Sequence, residues 1–270
     1  MTLCRLTVLA GTCGMLFLSS TYAETITVCT AVASAATGEI LNQEGTCDTR
    51  ATPASTFKIA ISLMGFDAGF LKDAHRPALP FEEGYADWNP AWRSTTDPTK
   101  WMKDSVVWYS QQVTKALGKD RFGDYVRAFK FGNEDVSGDP GKDNGLTNAW
   151  LSSSLEISPL EQLAFLRKIV GRSLPVSSHA FEMTSRLIDF GILQSGWHIF
   201  GKTGTSASKN PDGTLAVGRP WGWFVGWATK SGRTLVFARL TKDTERPAVS
   251  PGLAARDAVL HDLFSAAGGL

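Results

Sequence analysis

Ser55 and Lys58 are the residues whose types and spacing best suit nucleophilic chemistry. They lie in the segment Pro53-Ala-Ser-Thr-Phe-Lys58, just before an apolar stretch. Residues three apart lie on one side of a helix, so the hydroxyl and the amine can touch. If the lysine is buried, desolvation favours its neutral form, which can activate the serine as a nucleophile. The free N–H groups of a helix N-terminus would stabilise a developing oxyanion.

A helix must hold this pair in place, and the residues that follow predict one. Pro53 suits the start of a helix, where its missing N–H leaves no donor unpaired. The helix is expected to extend to about Phe66. Its buried face is predicted by apolar residues at helical spacing, which are Phe57, Ala60, Ile61 and Met64.

The Ser-x-x-Lys pattern is short, and it occurs a second time at Ser206-Ala-Ser-Lys209. The second copy is followed by Asn, Pro, Asp and Gly and shows no apolar periodicity. We therefore expect a solvated loop there. The first copy gains its significance from other motifs in the chain.

Lys202-Thr203-Gly204 is such a motif. Residues 197–204 resemble a strand, which places the triplet at the end of that strand. The cation would attract a substrate carboxylate, the hydroxyl would hydrogen-bond it, and the glycine would let a ligand lie against the strand edge. Lys230-Ser-Gly232 is a similar triplet, but it falls in a predicted hairpin turn facing solvent.

The same lysine also completes a phosphate-loop pattern, because residues 196–203 fit G-x-x-x-x-G-K-[ST]. Nucleotide binding needs a flexible loop that leads into a helix. Here the variable positions hold Trp, His, Ile and Phe, which favour a strand, and polar residues follow. We interpret the segment as a strand rather than as a nucleotide site.

Two other kinds of site find no support in the sequence. No Gly-x-Ser-x-Gly nucleophile elbow occurs. The histidines show no metal-ligand spacing such as His-Glu-x-x-His, so no metal site is expected. These histidines are His75, His179, His198 and His261.

Ser55-x-x-Lys58 followed by Lys202-Thr203-Gly204 is the motif pairing of penicillin-recognising serine enzymes. Over essentially all of residues 24–270, the chain resembles the class D serine β-lactamases, the oxacillinases. The segment 53–58 is similar to the nucleophile motif of that family. Phe131-Gly-Asn133 departs from the usual Tyr-Gly-Asn by lacking a hydroxyl group.

The resemblance implies roles for further residues. Ser105, in Ser105-Val-Val107, would pass a proton toward the leaving nitrogen. The backbone N–H groups of Ser55 and Thr205 would form the oxyanion hole, and Lys202 would act beside them. The residues expected to contact the substrate are Thr203, Gly204, Thr205, Arg256 and Phe131, with Arg256 binding the substrate carboxylate.

The resemblance also implies an unusual general base. In this family the motif lysine reacts with carbon dioxide to give a carbamate, so we expect Lys58 to be N6-carboxylated. Carbon dioxide or bicarbonate is then required, and no other cofactor is expected. A buried anion is costly unless it is hydrogen-bonded. Trp150 would supply an indole N–H for it, and Val107 would complete an apolar pocket with Phe57.

The activity implied is hydrolysis of the β-lactam amide bond of penicillins and cephalosporins through a Ser55 acyl-enzyme, giving antibiotic resistance. Mechanism-based β-lactam inhibitors are the other expected ligands. An antibiotic sensor that stays acylated is one alternative, although such domains are tethered by membrane helices. A cell-wall transpeptidase or carboxypeptidase is another, although its second motif more often reads Ser-x-Asn than Ser-x-Val.

The N-terminal residues predict where the protein is located, and the charge balance argues against nucleic acid as a partner. Arg5, an apolar run to Leu18 and the small residue Ala23 are typical of a secretory signal over residues 1–23, which predicts export to the periplasm without a membrane anchor. The chain has 27 basic and 26 acidic residues, and loss of Arg5 leaves 26 of each. This neutral balance gives no reason to expect nucleic acid as a partner. Both a monomer and a homodimer remain open.

Cys29 and Cys47 are the cysteines that remain after removal of the signal. An even pair in an exported chain predicts a disulfide.

The pattern of elements predicts the fold class. Strand-like segments at 25–34, 38–46, 197–204, 221–229 and 234–241 flank a helix-rich middle, and 252–267 read as a closing amphipathic helix. Ser158, Pro159 and Glu161 predict a capped helix start within the middle. We expect an α+β fold with a mainly antiparallel sheet flanked by helices. One catalytic domain, 24–270, would combine a sheet subdomain (24–66 and 196–270) with an all-helical subdomain (about 67–195).

Overall fold

A six-stranded antiparallel sheet runs through the protein, in the order β2-β1-β6-β5-β4-β3. The computed structural model describes residues 24–210 and 214–267, so the predicted signal at 1–23 lies outside the described residues. The strands are β1 Thr25–Ser34, β2 Ile40–Gly45, β3 Asp189–Ile192, β4 His198–Lys209, β5 Leu215–Lys230 and β6 Arg233–Asp243. The sheet therefore joins both ends of the chain, as predicted.

Both faces of this sheet are buried at its central strands, which carry apolar residues on both sides. Successive residues of a strand point to opposite faces. Trp223 and Val225 of β5 belong to the larger apolar cluster, whereas Phe224 and Ala228 belong to a smaller one. The smaller cluster includes Val259 of the closing helix. This covering by helices explains why β5 reads as a nearly continuous apolar run.

Eight helices cover the faces of the sheet or pack beside it within the described ranges. They are α1 Lys58–Asp67, α2 Pro98–Lys103, α3 Val107–Leu117, α4 Lys119–Phe129, α5 Gly145–Asn148, α6 Pro159–Val170, α7 Ser178–Leu187 and α8 Pro251–Asp262. α6 packs against β1 and β6, and α8 packs against β4 and β5. The predicted capping box at the start of α6 is confirmed: Ser158 Oγ accepts from the Glu161 N–H, and the Glu161 carboxylate accepts from the Ser158 N–H.

Three sequence predictions need correction. The segment 206–209 is not a solvated loop, because it continues β4, where Ser208 pairs with Ala216 of β5 and is buried. Lys202-Thr203-Gly204 therefore lies in the middle of a strand rather than at its end. The closing helix ends at Asp262 rather than at residue 267. In β4, pairing with a long neighbouring strand outweighs a polar local composition.

The predicted subdomain limits do not coincide with the packing. Strand β3 belongs to the sheet although it falls within the segment 67–195. Helix α1 precedes that segment, yet it packs against α3 and α7. The 3-10 turn Ala54–Phe57 before α1 contacts β4 and β5, so the segment 54–67 connects the sheet to the helical layer.

The disulfide prediction is confirmed. Cys29 and Cys47 are joined by an S–S bond of 2.02 Å and are both buried. The bond links β1 to the residues that follow β2. None of the helices within residues 24–210 and 214–267 is long and apolar enough to cross a membrane.

Candidate active site

Ser55 lies in a 3-10 turn, Ala54–Phe57, that leads directly into α1. Pro53 precedes the turn, and its carbonyl accepts from the Thr56 N–H at 3.1 Å. Ala54 has a φ of 49°, in the left-handed region that non-glycine residues rarely occupy. Its N–H donates to the carbonyl oxygen of Trp150 at 3.1 Å. The turn that carries Ser55 is thereby held in a strained conformation by the Trp150 segment.

Lys58 begins α1 and is fully buried. Its amine lies 3.1 Å from the Ser55 hydroxyl, as the spacing predicts. Burial, and then the nearby charge of Lys202, lowers the pKa of Lys58 well below its usual value. Burial therefore favours the neutral form of the amine, and a neutral amine can act as a base or react with an electrophile.

Trp150 is fully buried beside this lysine's helix, with its ring centroid 5.7 Å from that of Phe57. Its indole N–H has no hydrogen-bond partner among the described residues. A buried donor left unpaired costs free energy. Such a donor marks a place where an acceptor group fits.

Phe131 also packs here, but its position does not support the predicted role in substrate contact. Its ring lies 4.9 Å from that of Phe57 and 5.0 Å from that of Phe165, and the residue is fully buried. It is a core residue behind the nucleophile helix. An aromatic side chain without a hydroxyl is suited to such an apolar position.

Ser105 and Lys202 meet across the site, although 97 positions separate them. The lysine amine donates to the Ser105 hydroxyl at 3.1 Å and to the Thr203 carbonyl at 3.1 Å. Burial lowers the pKa of Lys202 to about 8. Ser105 has a φ of 58°, a second strained residue at the site.

Gly204 allows β4 to lie against the turn that carries Ser55. A Cβ at this position would come within 2.9 Å of the Pro53 carbonyl oxygen. On its other side, a Cβ at Gly252 would lie 2.6 Å from the Gly204 carbonyl oxygen. Ligand access is the role that the sequence predicts for Gly204, and the structure shows in addition that its missing Cβ lets three backbone segments meet.

A cavity of about 400 Å³ is lined by several of the residues that the sequence predicted for the site. Its wall includes Ser55, Ser105, Val107, Lys202, Thr203, Gly204 and Thr205. Trp88, Leu151 and Leu253 also line it, and no sequence pattern predicted them. Trp88 lies in a segment without periodicity. The residue is 68% exposed, and an exposed tryptophan indicates a binding surface, but this exposure is visible only in the structure.

Arg256 lies outside this cavity. It lines a neighbouring cavity of about 780 Å³, which shares Lys202 and Thr203 with the first. Its guanidinium pairs with the adjacent Asp257 at 2.7 Å. The structure thus places Arg256 one cavity away from Ser55, with Lys202 and Thr203 lining both cavities.

Known proteins with the same sequence features and fold identify the family. Residues 28–265 match the family model of the penicillin-binding protein transpeptidase domain. The chain is 45% identical over 239 residues to β-lactamase OXA-9 of Klebsiella pneumoniae, covering 87% of this chain and 86% of that protein. It is 40% identical over 198 residues to β-lactamase OXA-1 of Escherichia coli, covering 71% and 66%.

A solved structure agrees in both sequence and fold. The crystal structure of the class D β-lactamase OXA-427 is 46% identical, with a TM-score of 0.82 over 86% of this chain and 95% of that one. The chain belongs to the class D β-lactamases. This class D protein is a serine β-lactamase, and the α+β fold predicted for it is confirmed.

Proposed function

We propose that this class D enzyme opens the β-lactam amide of penicillins and cephalosporins through a Ser55 acyl-enzyme, with Lys58 carbamylated as the general base. The observation that carries this proposal is the buried pair of Ser55 and Lys58, 3.1 Å apart, beside an unpaired buried donor on Trp150. A neutral lysine amine can add to carbon dioxide, releasing a proton. The indole N–H of Trp150 would then hydrogen-bond the resulting anion, which supplies the base of the reaction.

Acylation follows from the placement of the other groups. As Lys58 removes the proton from Ser55 Oγ, this oxygen attacks the lactam carbonyl carbon, and the N–H groups of Ser55 and Thr205 stabilise the oxyanion. The carbon–nitrogen bond then breaks. Ser105 delivers its hydroxyl proton to the leaving nitrogen and takes a proton from Lys202, which donates a hydrogen bond to it at 3.1 Å. The proton that the base took from Ser55 returns to Lys202 through water, so the base is free for the next step. The ring opens and leaves an ester on Ser55.

Hydrolysis of that ester completes the cycle. A water molecule gives a proton to the base at Lys58 and attacks the ester carbonyl. That proton passes to Ser55 Oγ as the ester bond breaks, which releases Ser55 and the opened product. The substrate carboxylate would lie against Lys202 and Thr203, with Arg256 attracting it from the adjoining cavity. We also infer that residues 1–23 direct export to the periplasm, where hydrolysis would protect the cell wall enzymes from these antibiotics.

The test counts product molecules per enzyme with a chromogenic cephalosporin, with and without added bicarbonate. Many turnovers that rise with bicarbonate would support both the hydrolase and the carbamylated lysine. A burst of one equivalent would mean that Ser55 acylates without deacylating, as in a sensor or a transpeptidase. No reaction would refute the proposal.

A matched pair of variants tests the role of Trp150. Trp150→Phe removes the N–H and keeps an aromatic ring, whereas Trp150→Ala also opens a cavity. We expect both variants to need more bicarbonate and to deacylate more slowly, and we expect the carbonyl signal of labelled carbamate to weaken in NMR spectra. Unchanged carbamate occupancy in Trp150→Phe would count against this role.

A further inference from the structure

The cavity next to the active site is larger than the active-site cavity and opens from it. It has a volume of about 780 Å³, against about 400 Å³ for the cavity that contains Ser55. The two share Lys103, Asp104, Lys202, Thr203 and Leu253 as lining residues. A molecule held at Lys202 and Thr203 can therefore extend into the larger space.

The charged side chains that line this larger cavity are mostly cationic. They comprise Lys103, Arg186, Lys202 and Arg256 against Asp104 and Asp189, with His75 at the edge. Both acids already have partners: Asp104 pairs with Lys100 at 2.6 Å, and Asp189 lies 2.7 Å from His198. The cavity wall thus carries an excess of positive charge.

Two of these cations have no counter-ion among the described residues. Lys103 and Arg186 are exposed, and neither forms an ion pair or a side-chain hydrogen bond within residues 24–210 and 214–267. Arg186 stands in the last turn of α7 and lines the cavity together with Lys202. An unpaired guanidinium in a concave surface is suited to bind a carboxylate, sulfonate or phosphate in a bidentate manner.

The chemistry of the substrate indicates which of its groups would enter. In a cephalosporin, the ring carboxylate and the variable ring substituent stand on neighbouring carbon atoms. A carboxylate held at Lys202 and Thr203 would place that substituent next to the shared wall. From there the substituent can extend into the larger cavity, which Arg186 lines.

We propose that this cavity is a subsite for a second anionic group on the substrate, and that Arg186 selects cephalosporins whose ring substituent carries such a group. The inference rests on the proposed β-lactamase function, since it assigns a substrate class to the same site. Lys103 contributes to the positive potential of the subsite, and Arg256 contributes less because it is paired with Asp257 at 2.7 Å. A neutral substituent enters the same cavity without this attraction.

The experiment compares two cephalosporins that share an acyl side chain and differ only in a neutral or an anionic ring substituent. We expect Arg186→Glu to lower the ratio of kcat/KM for the anionic over the neutral compound by roughly five- to twenty-fold at low salt, because an attractive charge becomes repulsive. The change should lie mainly in KM and should shrink as ionic strength rises. Arg186→Gln should give an intermediate ratio.

Arg233→Glu is the matched control. Arg233 is also exposed and without an ion pair among the described residues, but it lies at the start of β6 and lines neither cavity. The same ratio in Arg186→Glu and Arg233→Glu would overturn the proposal. A thermal melt of each variant shows that the fold is retained.

Binding to the Ser55→Ala variant separates the subsite from the hydrolysis. Calorimetric titration should show that the anionic compound binds more weakly when Arg186→Glu is added to Ser55→Ala, while the neutral compound changes much less. Equal weakening of both compounds would refute the subsite. If the wild-type enzyme failed to turn over the neutral compound in bicarbonate, the proposed function would fail, and this titration would still decide the subsite.

Discussion

Ser105 lines the active-site cavity with a backbone conformation that is unfavourable for a residue with a Cβ. Its hydroxyl accepts a hydrogen bond from Lys202, yet its φ of 58° lies in a region that disfavours residues with a Cβ. Backbone strain at a functional residue persists only when the surrounding structure imposes it. Here Val106 and Val107 follow as buried residues and hold the segment in place.

We therefore expect Ser105→Gly to be less active than the wild type and more stable than Ser105→Ala. Glycine adopts positive φ readily, so the variant should gain about 1 kcal/mol in the free energy of unfolding relative to Ser105→Ala. Both variants lose the hydroxyl and should lose about 100-fold or more in kcat if it transfers the proton. Urea unfolding and steady-state kinetics of both variants provide the check, and equal stability would contradict the strain argument.

The buried Lys202 makes the stability of the protein dependent on pH. Its pKa falls from 10.5 to about 8 through burial, so between these pH values the unfolded chain binds a proton that the folded protein does not. The free energy of unfolding should therefore rise with pH across this window, by roughly 2–4 kcal/mol. Below about pH 8 the full cost of burying the charge is present.

Comparison with Lys202→Met isolates this effect from other titrating groups. The variant keeps a side chain of similar length and cannot carry the charge. Urea unfolding at several pH values between 7.5 and 10.5 should give a steeper rise for the wild type than for the variant. Parallel curves would show that Lys202 does not contribute.

At the scale of elements, the segment between α4 and α6 carries Trp150, and the carboxylate of Asp139 holds this segment together by hydrogen bonds. Asp139 accepts hydrogen bonds from the side chains of Asn144 at 2.9 Å, Asn148 at 3.1 Å and Ser153 at 2.8 Å. Asn148 and Ser153 stand on either side of Trp150 in the chain. These hydrogen bonds, that from Asn144 first, keep the pKa of Asp139 below its usual value, so the network persists into mildly acidic conditions.

We expect Asp139→Ala to destabilise the protein by about 1–3 kcal/mol, since three donors lose a charged acceptor. The requirement for bicarbonate should also rise, because Trp150 loses its fixed position. Asp143→Ala is the control from the same loop, as Asp143 is 93% exposed and pairs only loosely with Lys119 at 3.4 Å. Equal bicarbonate dependence in the two variants would contradict the positioning role of Asp139.

At the scale of the whole molecule, the disulfide does not hold the turn that carries Ser55. Cys29–Cys47 joins residues 18 positions apart at the edge formed by β1 and β2. The turn that carries Ser55 is held instead by the bond from Ala54 to Trp150 and by the bridge between Ala51 and Ile157. Loss of the disulfide should therefore affect stability more than chemistry.

The double variant Cys29→Ser/Cys47→Ser should lose about 3 kcal/mol in the free energy of unfolding, mainly because its unfolded chain regains entropy. At temperatures well below the melting point its kcat should equal that of the wild type. Thermal unfolding with and without reductant, together with kcat at low temperature, measures both quantities. A large loss of kcat in the folded double variant would show that the two regions are linked.

The sequence alone determined the features that depend on neighbours along the chain. The pairing of Ser55 with Lys58, the buried face of α1, the capping box of α6 and the strands at both ends follow from periodicity and from the geometry of helices and strands. The motifs Ser55-x-x-Lys58 and Lys202-Thr203-Gly204 also indicated the protein family. These features rest on contacts within a few residues, which local propensity and spacing can predict.

The tertiary structure alone decided the features that depend on distant residues. The hydrogen bond from Lys202 to Ser105, the strand pairing of Ser208, the burial of Phe131 and the placement of Arg256 in a second cavity each require segments that the sheet brings together. The low pKa of Lys58 arises in the same way, from burial by many elements. Side chains respond to all the atoms packed around them, and the order of residues in one segment does not contain that information.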